Sequence, residues 1–466
     1  MSFLFLNRDN IKKSTNIFDI FLLLYIYCKE NEGNILHRYS KDYKTFHKFD
    51  KDIEKFLMRK MKQSPALEVK GEIEDQAIKD YFIQGISGGE KEEFIFASLL
   101  SIDRLYKKRD MISTPILNRN FREYGDVYYL NNRSFRFDRF YKLIRGFDTI
   151  GDRIENRLSN ITAITKIATD YTVKFMELPS FVHYLFKKDS IRIAIVPFRK
   201  DEDEPVIETK KEKKGQVGFC VRQGKDSNCL ERLEKIIDEL ERRKVNIIVF
   251  PELTFSKDLL EQLQLVLAEK YNRNPDNPTI KLVISGSFHG DGKNKCFMLR
   301  PDGRELFCQT KMNRFLFLAG EFEGMDEEVV EDIDISERVF NLLDCPFGRV
   351  ATMICLDFLV PETYNMLSSL KVNCFFLPSM TPSGKRFETN AFYHACASQA
   401  VTFFSNAYNF KVRDAEDVKK DSFIFRPIRC LSGDSDLEYL KRDPTAFETV
   451  LLFNSKDCKV QSITLS

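Results

Sequence analysis

An α/β sheet domain over residues 189–466, preceded by a mainly α-helical domain over 1–188, is the fold class the sequence predicts, and three observations predict it. Up to about residue 185, apolar residues recur at three- and four-residue spacing, the period of helices with one buried face. From about Asp189, short apolar strand-like runs alternate with helical stretches, the pattern of a sheet covered by helices. The length of 466 residues, against roughly 150 per domain, suggests more than one core.

The N-terminal helices are expected at Asn16–Cys28, Asp50–Met61, Asp75–Gln84, Glu90–Lys108 and Arg136–Ile144, punctuated by Pro65, Gly71, Gly85, Gly88, Gly89 and Pro115. The most apolar run, Ile17 to Cys28, contains Asp19 and is too short for the ~20 residues that span a bilayer, so it reads as a core helix. No small-residue cleavage site follows it, and a cytoplasmic protein without a membrane association is expected. In the second domain strands are expected at Ile191–Pro197, Val245–Phe250, Lys281–Phe288, Cys296–Leu299, Arg349–Ile354, Cys374–Leu377, Thr402–Ser405, Asp421–Phe425 and Thr449–Asn454. Helices fit at Leu230–Arg243, Lys257–Glu269, Glu362–Leu370 and Glu388–Ala400. Between the first strand and first helix lies an almost wholly charged insertion, 199–215, expected as an exposed or disordered loop.

Composition narrows the chemistry. Hydrophobic residues make up 43% and charged residues 30%, enough for sizeable cores, and a net charge of +2 gives no global pull toward nucleic acid. The 11 cysteines include no C-x-x-C pair, and with 5 histidines neither a metal site nor any other cofactor is called for. An odd, irregular cysteine set in a long chain also argues against a secreted disulfide framework. Ile-Ser-Gly-Gly-Glu at 86–90 has no phosphate-binding G-x-x-x-x-G-K-[ST] to accompany it, which removes P-loop chemistry.

Three strand ends carry candidate chemistry. Val-Phe-Pro-Glu at 249–252 places Glu252 at the carboxyl edge of a strand, where catalytic groups collect in α/β sheets. Pro-Asp-Gly at 301–303 turns one strand into the next and leaves Lys311 at the end of a hairpin arm. Ala-Thr-Met-Ile-Cys-Leu-Asp at 351–357 puts Cys355 directly after a strand, like a nucleophile on an elbow. Singly, each is better read as a turn acid, a solvated lysine or a buried thiol. Together they supply a base, a cation and a nucleophile.

Those stretches, NIIVFPEL (246–253), RPDGRELFCQTKMNRFLFLAGE (300–321) and FGRVATMICLDFLVPE (347–362), with FFLPSM (375–380) and SNA (405–407), resemble the carbon–nitrogen hydrolase or nitrilase superfamily in kind and order over about residues 189–460. The resemblance implies a four-layer αββα sandwich and hydrolysis of a non-peptide C–N bond of an amide or nitrile through a thioester. It casts Cys355 as nucleophile, Glu252 as general base and Lys311 as the oxyanion's cation, with the N–H of Leu356. A second, substrate-positioning glutamate falls on Glu321 of the Gly320–Glu321 pair, with Glu323 as runner-up. That mechanism needs no imidazole, so His289 and His394 read as structural. A homo-oligomer formed through this domain is also implied.

The alternative is an interaction or regulatory module on the same fold, its N-terminal domain directing it to a protein or nucleic-acid partner, as in a bacterial antiviral system. Residues 118–146, which interleave arginine with Phe and Tyr, motivate the nucleic-acid version. The retained acid, lysine and cysteine favour the enzyme.

Overall fold

A computed structural model describes residues 6–106, 121, 124–129, 154–165, 171–186, 191–198, 206–211, 217–222, 229–320, 326–398, 400–407, 422–426, 437–439, 449–454 and 459–464. Two compact units divide the chain. One comprises Met1–Asn132, Gly146–Asp170 and Asn365–Lys371, and the other comprises Arg133–Arg145, Tyr171–Tyr364 and Val372–Ser466.

The first unit is built on the helix Ile17–Glu30, whose residues from Ile17 to Cys28 are all buried. A helix apolar on every side must be enclosed, and here Tyr43–Gln63 and Lys91–Leu105 contribute to the same core. Asp19 is tolerated because it completes a capping box: it receives the N–H groups of Thr15 and Asn16 while Asn16 caps the N–H of Asp19. No helix among the described residues is long and apolar enough to cross a membrane. Helices at Arg8–Lys13, Glu32–Lys41 and Pro65–Lys70 and an antiparallel pair, Gly125–Tyr129 with Ile161–Thr165, were not anticipated. In the stretch 118–146, Phe121, Val127 and Tyr128 are buried; the expected helix Arg136–Ile144 lies outside the described residues. Near the unit's edge Lys371 donates to the carbonyl of Glu155, whose carboxylate accepts from Tyr25, Lys29 and Ser369.

The second unit contains two large mixed sheets and a smaller one. One large sheet runs in the order Glu305–Thr310, Lys293–Leu299, Leu282–Ile284, Ile247–Val249, Arg192–Ile195, Thr449–Asn454, Lys459–Thr464. The other runs Leu437–Tyr439, Phe423–Phe425, Val401–Asn406, Cys374–Ser379, Gly348–Thr352, Val339–Cys345, Thr172–Glu177. Helices Cys229–Arg242 and Lys257–Arg273 bury Leu233, Ile237, Leu260 and Leu263 in one core with Ile248 and Val283 of the first sheet. The ring of Phe403 meets that of Phe453, and Ser405 Oγ donates to the Val249 carbonyl, so strands of the two sheets touch. On the second sheet, Phe387 of helix Lys385–Ser398 packs on Phe404.

Two expectations need correction. The division falls after Asp170, not at 189, because Thr172–Glu177 pairs in parallel with Val339–Cys345 along its full length. About a third of the charged insertion is also structured: Val206–Lys211 pairs antiparallel with Val217–Arg222. An edge strand needs one bonded side and one apolar face, and Ile207 supplies the latter against a cluster containing Val217, Phe219 and Val221. Residues 199–205 and 212–215 lie outside the described residues.

Candidate active site

Glu252 is set by the end of a fully buried strand. Ile247–Val249 lies between parallel neighbours Arg192–Ile195 and Leu282–Ile284, and Phe250 still donates to the Ile284 carbonyl. Pro251 lacks an N–H and ends the ladder. Leu253 then adopts φ 52°, a left-handed conformation that costs a branched aliphatic residue energy, and its N–H is held by Ser287 Oγ. This turn leaves Glu252 only 1% exposed, with Met380 N–H donating to Oε2 at 3.0 Å.

Lys311 follows the strand Glu305–Thr310, the second arm of a hairpin with Lys293–Leu299. The turn depends on Gly303, at φ 77°, where a Cβ would lie 2.2 Å from the Gln264 carbonyl oxygen. Lys311 N–H donates to the Asn294 carbonyl, and the side chain, 3% exposed, reaches two carboxylates. Its Nζ lies 2.9 Å from Glu252 Oε1 and 2.7 Å from Glu331 Oε2. Burial alone would push the ammonium down in pKa; Glu252 and Glu331 outweigh it and hold it well above the ordinary lysine value.

Cys355 opens a 3-10 turn, Cys355–Leu359, that follows the buried strand Gly348–Thr352. Its φ of 48° is again left-handed, so two of the strained residues of this unit sit on the backbone of the site. The groups that act electrostatically on its thiol are the Glu252 carboxylate, the Lys311 ammonium and the Met380 N–H. Burial first, then the Glu252 charge, push it well above the usual thiol range despite the opposing pull of Lys311, so the resting group is a thiol beside a carboxylate. Asp357, in the same turn, accepts from Met312 N–H and Asn313 Nδ2, tying the turn of Cys355 to the segment that follows Lys311. Burial raises its carboxyl to about 7 against the pull of those donors and of Lys311.

The structure thus brings Glu252, Lys311 and Cys355 together. Glu321 and Glu323 lie outside the described residues. The second carboxylate found at Lys311 is Glu331, which the sequence reading missed. Glu331 is 1% exposed and accepts from Lys311 Nζ, Asn294 Nδ2, Phe315 N–H and His289 Nε2. Burial would raise it, but Lys311 and His289 outweigh that and leave it at about 2. Asn294 Nδ2 lies 3.0 Å from both Glu252 Oε1 and Glu331 Oε1, which fixes the amide's orientation with nitrogen toward the acids. Among the described residues, no three His, Cys, Asp or Glu side chains converge as a metal-ligand set.

No family model matches the chain, and no curated protein matches it. Solved structures do. A glutamine-dependent NAD+ synthetase from Acinetobacter baumannii is 14% identical with a TM-score of 0.37, over 60% of this chain and 48% of that one, so the likeness spans about half the synthetase. Nit3 of Saccharomyces cerevisiae, of branch 10 of the nitrilase superfamily, is 15% identical over 52% of this chain and 84% of its own, TM-score 0.34. A carbon–nitrogen hydrolase from Helicobacter pylori is 13% identical over 58% and 90%, TM-score 0.37.

Proposed function

We propose that the second unit is an αββα carbon–nitrogen hydrolase that cleaves a non-peptide amide through a thioester on Cys355. The observation that carries this reading is the meeting of three buried groups: Glu252 bound at 2.9 Å to the Lys311 ammonium, with both charges acting on the Cys355 thiol.

The chemistry follows from those contacts. Cys355 Sγ attacks the amide carbon while its proton passes to Glu252, forming the C–S bond without a free thiolate in the resting site. The carbonyl oxygen becomes an oxyanion facing the Lys311 ammonium and the N–H of Leu356. Collapse breaks the C–N bond, and Glu252 returns its proton to the leaving amine. Water, deprotonated by Glu252, then attacks the thioester and releases a carboxylic acid and the thiol. Glu331 takes no proton in this scheme: four donors already occupy it, so it holds the lysine.

Acrylamide, an amide that also accepts a thiol at carbon, tests the assignment. Cys220, Cys229 and Cys308 are only partly buried, so the adduct is mapped by peptide fragmentation after intact-mass measurement. Preferential addition at Cys355, lost in Cys355→Ser and slowed at least tenfold in Glu252→Gln, is the expected result. A folded wild-type protein that takes acrylamide only at the other cysteines would overturn the reading.

A further inference from the structure

We infer that His289 is a positioning residue of this site, acting on Lys311 through Glu331. This rests on the reading of Lys311 as the oxyanion's cation. His289 lies on the short strand Phe288–Gly290, which pairs with the strand that carries Asn294. Its Nδ1 accepts the Val221 N–H at 2.8 Å. A nitrogen that accepts a hydrogen bond carries no proton, so the ring is neutral and its single proton is on Nε2. Nε2 lies 3.0 Å from Glu331 Oε1 and donates to it. The other oxygen of Glu331 is the one 2.7 Å from Lys311 Nζ.

The imidazole therefore sets the rotation of the carboxylate that aims the ammonium. Its place is also a boundary. The His289 side chain is 7% exposed and lines a cavity of about 470 Å³ walled by Glu208, Lys210, Arg222, Asp291 and Asp332. Glu331 and Lys311 do not line that cavity and are 1% and 3% exposed. Around metal ligands, groups that orient a direct partner are worth about 10–100-fold, which sets the scale expected for His289.

Two amide substitutions separate this role from a structural one. Glutamine places its amide nitrogen near imidazole Nε2, so His289→Gln keeps the donor to Glu331 and loses the acceptor for Val221. Asparagine reaches only the Nδ1 position, so His289→Asn does the reverse. Positioning predicts that acrylamide addition at Cys355 stays within about threefold of wild type in His289→Gln. It should fall tenfold or more in His289→Asn, with Glu331→Gln falling similarly and His289→Asn adding little on top of it. A bracing role for the Val221 strand predicts the opposite order, in rate and in melting temperature. That order, or two variants alike, overturns the inference. If wild-type Cys355 is inert, the proposed function falls, and the link is decided by ¹⁵N resonances of the His289 ring. An Nε2–H tautomer whose Nε2 signal moves in Glu331→Gln sustains it; an Nδ1–H tautomer, or no response, overturns it.

Discussion

Two lysines withdrawn from solvent, one in each compact unit, have opposite electrostatic fates. Lys311 meets two carboxylates within 3 Å and is held well above the ordinary lysine value. Lys371, partly buried in the first unit, donates to the carbonyl of Glu155, while the carboxylate of that residue is engaged by Lys29, Tyr25 and Ser369. Burial drives Lys371 down to about 8, and the charges of Glu155 and Asp103 recover only part of the fall. Depth alone does not set the pKa of a lysine. Carboxylate oxygens at bonding distance do: Lys311 has two, whereas Lys371 donates to a carbonyl.

The largest effect should come from removing the compensated cation. Lys311→Met leaves Glu252 and Glu331 buried with one amide bridging them, and loss of one partner from a buried ionic set costs about 3–5 kcal/mol. Urea unfolding measures it; a loss below 1 kcal/mol would mean the carboxylates are not charged together. Next is Glu331→Gln. The Glu331 carboxyl falls from 4.5 to about 2 on folding, so its stabilisation is complete above pH 4.5 and is lost as pH drops through about 2. The variant should lose up to about 3 kcal/mol at pH 7 and show a flatter acid limb between those values.

Lys371→Met should have the opposite sign. The folded lysine titrates near 8 and the unfolded one near 10.5, so the unfolded chain binds more protons between these values and wild-type stability rises with pH there. The variant should gain about 1–3 kcal/mol at pH 7 and show no such rise. An unchanged slope between pH 8 and 10.5 would remove Lys371 from the comparison. Smallest in stability is Cys355→Ser, expected within about 1 kcal/mol of wild type, while acrylamide addition at position 355 disappears.

How much of this was legible depends on where each residue advertised itself. Glu252, Lys311 and Cys355 stand at the ends of apolar runs, and strand ends are readable because periodicity stops there. Glu331 was hidden by its surroundings: it sits in DEEVVEDIDISE, where one buried carboxylate looks like any other acid. The signal was the alternation Val329, Glu331, Ile333, all buried, with Val330 and Asp332 more exposed between them. The strand Thr172–Glu177 was missed for a related reason, since it is an edge strand with no fully buried position. The helix Ile17–Glu30 was read correctly because twelve consecutive buried residues leave little room for another interpretation.

The left-handed backbone at Cys355 also limits which relatives of this chain could exist. Serine fits φ 48° with modest cost, since its one γ atom can turn away from the preceding carbonyl. Threonine carries a second γ substituent, and a β-branched residue at positive φ is a true outlier. Of the two small hydroxyl residues, this turn therefore admits serine, and a threonine would require the turn itself to be rebuilt.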